Sequence, residues 1–172
     1  MSSARTLIVA LAVKQRGSMT IENSFTVELE HQCDYAFNVN FNLDNVAHLV
    51  LDEPAPLGSQ TGPNASHLVA AAVANCLSAS LLFCLAKDAA PKNSLTAEAK
   101  CTLVRNDNQR LRLGGIDVRI TLNNDALPSA SRTKRCLALF EDFCVVTESI
   151  RNGLPVAVTI LDSDGQLLHH TG

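Results

Sequence analysis

Apolar and polar residues alternate along Ser24-Phe-Thr-Val-Glu-Leu-Glu30 and again along Tyr35-Ala-Phe-Asn-Val-Asn-Phe-Asn42, which predicts two half-buried strands. His31-Gln-Cys-Asp34 between them predicts a hairpin turn. Ala47-His-Leu-Val-Leu51 reads as a third short strand. Three prolines and two glycines between Asp52 and Pro63 predict a loop. The pattern then changes completely. From Asn64 to Lys87 there is no charge before the final lysine, and Asn64 is placed to cap a long helix. That helix is apolar nearly all round and should be buried on most faces.

Pro91 closes the helical segment. Leu95 to Val104 and Arg110 to Leu122 are two more alternating runs, with Asn106-Asp-Asn108 as the turn and Gly114-Gly115 as a bulge. Ser129 to Phe143 predicts a helix, and Cys144 to Asn152 a shorter one ending at Gly153. Pro155 to Leu161 reads as a closing strand, Asp162-Ser-Asp-Gly165 as a turn, and His169-His170 as a tail. Strands, helix, strands, helices and a last strand make an α+β pattern. One thin sheet covers only part of an all-apolar helix, so a second subunit is expected to cover the rest.

Composition narrows this further. With 47% apolar and 18% charged residues, the 172-residue chain has a globular balance and enough length for a sizeable core. A net charge of −3 calls for neither nucleic acid nor an anionic membrane as partner. The basic cluster Arg132, Lys134 and Arg135 reads as a solvated helix start. Leu7 to Val13 is too short an apolar run to span a bilayer and lacks the features of a secretory signal. Met19 is a candidate natural start. That choice makes residues 1–18 an N-terminal extension and 19–172 a single domain; the alternative is an extra edge strand. Free thiols without an export signal point to the cytoplasm.

The six cysteines contain no Cys-x-x-Cys pair, which argues against a zinc ribbon or a thioredoxin-type site. His169 and His170 have no supporting metal-ligand spacing, and no cofactor motif is present. Cys76 and Cys144 fall on two different predicted helices and could meet as a redox pair. Cys76 and Cys84 are about 12 Å apart along one helix, too far for a disulfide. Cys136 and Cys144 are excluded in the same way if their helix is continuous. Cys33, Cys84, Cys101 and Cys136 read as small buried hydrophobes. At a helix start, Cys144 is favoured as an anion. Cys76, three turns into its helix, is pushed towards the neutral thiol by burial.

Several segments carry a family resemblance. They are Asp52-Glu-Pro-Ala-Pro-Leu-Gly58, Gly62-Pro-Asn64 with the small-residue helix to Cys76, Cys144-Val-Val-Thr-Glu-Ser-Ile-Arg151, and Pro155-Val-Ala-Val-Thr159. In this order they resemble the osmotically inducible protein C (OsmC) family, from about Thr20 to Asp162, and its less characterised OsmC-like branch more than the organic hydroperoxide resistance branch. The resemblance implies antiparallel sheets packed on a long central helix, in an intertwined homodimer with sites at the subunit interface. It also implies an organic hydroperoxide reductase without a cofactor. Cys76 would be peroxidatic, Cys144 resolving, and an external dithiol the reductant. The family's peroxidases activate the first cysteine with an arginine and with a glutamate ten residues before it. Here that position is Ser66, and no arginine lies between Arg16 and Arg105. Ser66, His67 and Glu53 are the candidate supporting residues, although a capping or packing role is the commoner one for a histidine such as His67. Arg119 or Arg151 could supply the cation. The loss of glutamate and arginine keeps a second reading open, a binding protein holding an apolar ligand in the interface cavity.

Overall fold

The structure, a computed structural model, describes residues 20–86 and 90–172. The proposed extension over residues 1–18 lies outside the described residues. The order is β1 (Glu28–Cys33), β2 (Ala36–Asn40), β3 (Leu49–Leu51), α1 (Ala65–Leu85), β4 (Leu95–Arg105), β5 (Leu111–Leu122), α2 (Ala130–Leu139), α3 (Val145–Asn152), β6 (Val158–Leu161) and β7 (Leu167–Thr171). Single 3-10 turns follow β5 and α2. Two compact units separate. Thr26–Arg151 forms one, and Asn152–Gly172 with the described residues 20–25 forms the other.

In the larger unit β1, β2 and β3 form an antiparallel sheet in that order. The hairpin turn falls on Asp34-Tyr35, two positions later than predicted, and β1 starts at Glu28 rather than Ser24. Asp34 takes a positive φ of 46°, a conformation that aspartate tolerates better than most residues. The loop after β3 is organised by Asp52. Its Oδ2 accepts from the backbone N–H groups of Ser59 and Thr61 at 3.1 and 3.0 Å and from the Thr61 hydroxyl at 3.0 Å. Asp52 is therefore a buried loop anchor.

Asn64 caps α1 as predicted, with its side chain accepting from the His67 N–H. Within this chain α1 buries a single stripe, Ala70, Val73, Leu77, Ser78, Leu81 and Leu85. Ala72, Asn75, Ala79 and Phe83 on another face are exposed, and Phe83 keeps 87% of its surface. The expectation of burial on most faces is thus not met by one chain. By length and apolarity α1 could also cross a bilayer. Here its buried stripe packs on the β4–β5 ribbon and on Cys136, Phe140 and Cys144.

That ribbon is two-faced. Ile116, Val118, Ile120 and Leu122 turn towards α1, while Asp117 and Arg119 are exposed opposite Lys100 and Glu98. The register shifts between Thr102 and Leu103, leaving Gly114 as the extra residue of β5, the bulge that the glycine pair predicted. The helix expected from Ser129 to Phe143 breaks after Leu139. Phe140–Phe143 is a 3-10 turn, and Cys144 is extended, with φ −81° and ψ 94°. In the smaller unit, β6 and β7 pair as a hairpin around Gly165. The predicted tail of His169 and His170 is therefore a strand, and the Thr159 hydroxyl is 3.0 Å from His170 Nδ1.

Candidate functional site

Cys76 reaches the site from the middle of α1, Cys144 from the break just before α3. The break matters because a continuous helix would carry residue 144 past α1 at another angle. Cys144 is fully buried against Val73 and Leu77, and Cys76 packs against the same cluster with Ile116, Val118, Ile120 and Phe140. Neither cysteine is in a disulfide. The two thiols share one apolar cluster, and the Cys144 Sγ is 3.0 Å from Thr147 Oγ1.

The two sulfurs ionise in opposite directions. Burial raises the Cys76 thiol, and its hydrogen bond to Cys144 raises it further. Burial also works against the Cys144 thiolate. The hydrogen bonds from Cys76, the Thr147 hydroxyl and the Thr147 and Val146 backbone outweigh burial and lower the thiol. Cys144 precedes the first turn of α3, where the free N–H groups point at its sulfur. Of the two sulfurs, Cys144 is the more readily ionised.

Beside this pair is a cavity of about 410 Å³. Its walls include Val73 and Leu77 of α1, Ile116 and Val118 of β5, Phe140 and Thr147. Gly114 and Gly115 also line it, as do Glu141 and Arg151. The Arg151 guanidinium donates to Glu141 at 2.6 Å and to Glu148 at 2.8 Å. Of the two arginines considered from sequence, Arg151 is thus at the cavity. Arg119 is exposed and pairs at 4.0 Å with Glu98.

The supporting residues gather elsewhere. Glu53 Oε2 accepts from Asn64 Nδ2 at 3.1 Å, and Asn64 Oδ1 is 2.7 Å from His67 Nδ1. His67 is exposed and belongs to the cap of α1, and Ser66 is half-buried in the first turn. Nine residues of helix put His67 about 14 Å along the axis from Cys76. Within this chain neither it nor Glu53 accompanies the thiols.

Cys84 and Cys136 correct the reading from sequence. They are not inert hydrophobes but form a disulfide, with Cα atoms 5.5 Å apart. Sequence reasoning also passed over Thr147 and Phe140. Thr147 had a signal, a hydroxyl three residues after a cysteine at a helix start. The cysteine pairing had one too. Cys84 follows Cys76 by eight residues and Cys136 precedes Cys144 by eight, the register of two antiparallel segments. Among the described residues no His, Cys, Asp and Glu cluster suits a metal ion.

The model for OsmC-like proteins matches residues 58–159. No curated protein matches the chain. Among solved structures, an OsmC-like protein of unknown function from Vibrio cholerae is 14% identical with a TM-score of 0.58, covering 74% of this chain and 93% of its own. The organic hydroperoxide resistance protein OhrB of Bacillus subtilis is 18% identical at TM-score 0.55, covering 76% of this chain and 93% of its own. The organic hydroperoxide resistance protein OsmC of Legionella pneumophila, also described as a predicted redox protein, is 15% identical at TM-score 0.53, with coverages of 77% and 92%.

Proposed function

The chain belongs to the OsmC family, and from that premise we propose that it is a redox stress protein that reduces organic hydroperoxides through Cys76 and Cys144. The observation that carries this reading is the pair of free thiols, Cys76 and Cys144, in one apolar cluster beside an apolar-walled cavity. Cys76 is half-buried and Cys144 wholly buried, so an entering peroxide meets Cys76 first. A Cys144 thiolate takes the Cys76 proton as the Cys76 sulfur attacks the terminal peroxide oxygen, and returns it to the alkoxide released when the O–O bond breaks. The products are an alcohol and a Cys76 sulfenic acid. The Cys144 thiolate then attacks the sulfenic sulfur, and hydroxide leaves and is protonated by solvent, giving a Cys76–Cys144 disulfide and water. An external dithiol returns the pair to thiols by exchange. The Cys144 thiolate does the work of a base, which the absent glutamate would otherwise share. The apolar wall favours alkyl hydroperoxides over hydrogen peroxide.

We place the protein in the cytoplasm as a homodimer. Exposed Phe83, Phe143 and Val145, at 87%, 71% and 75%, support the dimer. The Cys84–Cys136 disulfide weighs against the compartment, because such bonds are rare there.

The test is peroxide consumption with dithiothreitol as reductant, followed by peptide mapping. Consumption of alkyl hydroperoxides, lost in Cys76→Ser, with a Cys76–Cys144 link in the oxidised protein, supports the reading. No turnover, or oxidation confined to Cys33 or Cys101, overturns it. One observation favours a second reading, an apolar-ligand binding protein. The cavity is walled by Leu77, Phe140 and Thr147 rather than by either free cysteine. Saturable binding of a fluorescent fatty acid without peroxide turnover would select that reading.

A further inference from the structure

Cys76 and Cys84 are two turns apart on α1, and each meets a cysteine of the antiparallel segment 136–144. The first meeting is a pair of thiols, the second a disulfide. We propose that Cys84–Cys136 is a second redox site, a disulfide opened by dithiols, whose state controls the reactivity of Cys76 and Cys144.

Three features couple the two sites. Cys136 is wholly buried, and its cluster of Leu81 and Leu85 packs against Ile120 and Phe140. The same Ile120 and Phe140 pack against the cluster around Cys144. Phe140 comes one turn after Cys136, opens the 3-10 turn that leads to Cys144, and forms part of the cavity wall. A covalent bond at Cys136 therefore fixes the near end of the segment whose far end presents Cys144. Without that bond the segment is held to the end of α1 by packing and by Arg132. The Arg132 guanidinium donates to the Cys84 carbonyl from Nε at 3.2 Å and Nη2 at 2.9 Å.

The chemistry is thiol–disulfide exchange. A donor thiolate attacks the Cys84 sulfur, the half-buried member of the bond. The S–S bond breaks, its electron pair leaves on the Cys136 sulfur, and that sulfur takes a proton. The donor's second thiol, losing its proton, then displaces Cys84 as a thiol and closes the donor's own disulfide. Two electrons and two protons pass to the protein. Arg132 is one turn from Cys136 on α2, and a nearby cation eases departure of a thiolate.

The experiment is pulse alkylation of the native, full-length protein with iodoacetamide across a glutathione redox series, read by peptide mass spectrometry. Cys84 and Cys136 should be linked under oxidising poise and become alkylatable under reducing poise while far-UV circular dichroism is unchanged. Among molecules with Cys76 and Cys144 reduced, alkylation of those two should be severalfold faster once Cys84–Cys136 is open. Phe140→Ala should keep the disulfide yet abolish the difference. Free Cys84 and Cys136 at every poise would overturn the proposal. So would a bond that opens only when the chain unfolds, or opening without any change at Cys76 and Cys144. The readout is alkylation rather than peroxide turnover, so the proposal can fail or stand independently of the peroxidase reading.

Discussion

At the scale of single residues, hydrogen bonds decide what burial alone would reverse. Cys144 is wholly buried, and burial raises a thiol, yet the donors around it lower this one. Thr147 is the side-chain donor that can be removed with little change of shape. In Thr147→Val the onset of Cys144 alkylation should move to higher pH, measured by iodoacetamide rates in a protein with the other free cysteines replaced. An unchanged onset would mean that the backbone donors suffice. Asp52 behaves likewise, its carboxyl lowered first by the Thr61 N–H. A carboxyl depressed below its unfolded value, about 3.9, stabilises the fold above that pH and loses the contribution as pH falls through the folded value. Urea midpoints of the native protein should therefore fall as pH drops below ~4, and Asp52→Asn should lessen the fall. Of these residues, Cys76 and Cys144 were legible because their chemistry is rare and their helices were strongly patterned. Asp52 was legible only as the start of a proline- and glycine-rich loop, because the chain ahead of it has to fold back before its carboxylate has partners.

At the scale of elements, α1 is set by its ends as much as by its composition. Asn64 serves as the cap and also joins Glu53 to His67. Asn64→Ala should cost about 1 kcal/mol of stability, measured by chemical denaturation. Asn64→Ser should recover part of it, since serine caps α1 but cannot donate to Glu53 as the amide does. The cap, the ribbon of β4 and β5 and its glycine bulge were all visible in the order of residue types, because each rests on local rules. The break at Leu139 was not. Ser129 to Phe143 reads as unbroken helix by propensity, and the turn there follows from long-range demands: Cys136 must reach Cys84, and Cys144 must reach Cys76. Arg132 shows the same limit. It looked like a solvated charge, yet it caps the carbonyl of Cys84, a residue 48 positions earlier in the chain. The strand β7 was missed because its pairing with β6 overrides the weak pattern of Leu167 to Thr171.

For the whole molecule, the unresolved apolar balance of α1 is the main consequence. One chain buries a stripe and leaves Phe83 on the surface, in company with Phe143 and Val145. Sedimentation velocity at micromolar concentration should give a dimer with no detectable monomer. A stable monomer would mean that these residues are tolerated in water and would remove the shared-interface architecture. The α+β class followed from element order alone. Where the second cover for α1 comes from was only inferable from what the sheet is too thin to do.

The glycine bulge has a practical consequence. Gly115 lines the cavity, and a Cβ added there would meet nothing within 4 Å. Alternation along β5 puts that Cβ on the face of Asp117 and Arg119, opposite Ile116 and Val118, so it would stand in solvent and leave the cavity unchanged. Gly114 differs, because a Cβ there would come within 2.5 Å of Val104 Cγ1. Gly115→Ala should therefore leave the denaturation midpoint where it is and Gly114→Ala should lower it; equal midpoints would mean that the bulge can yield.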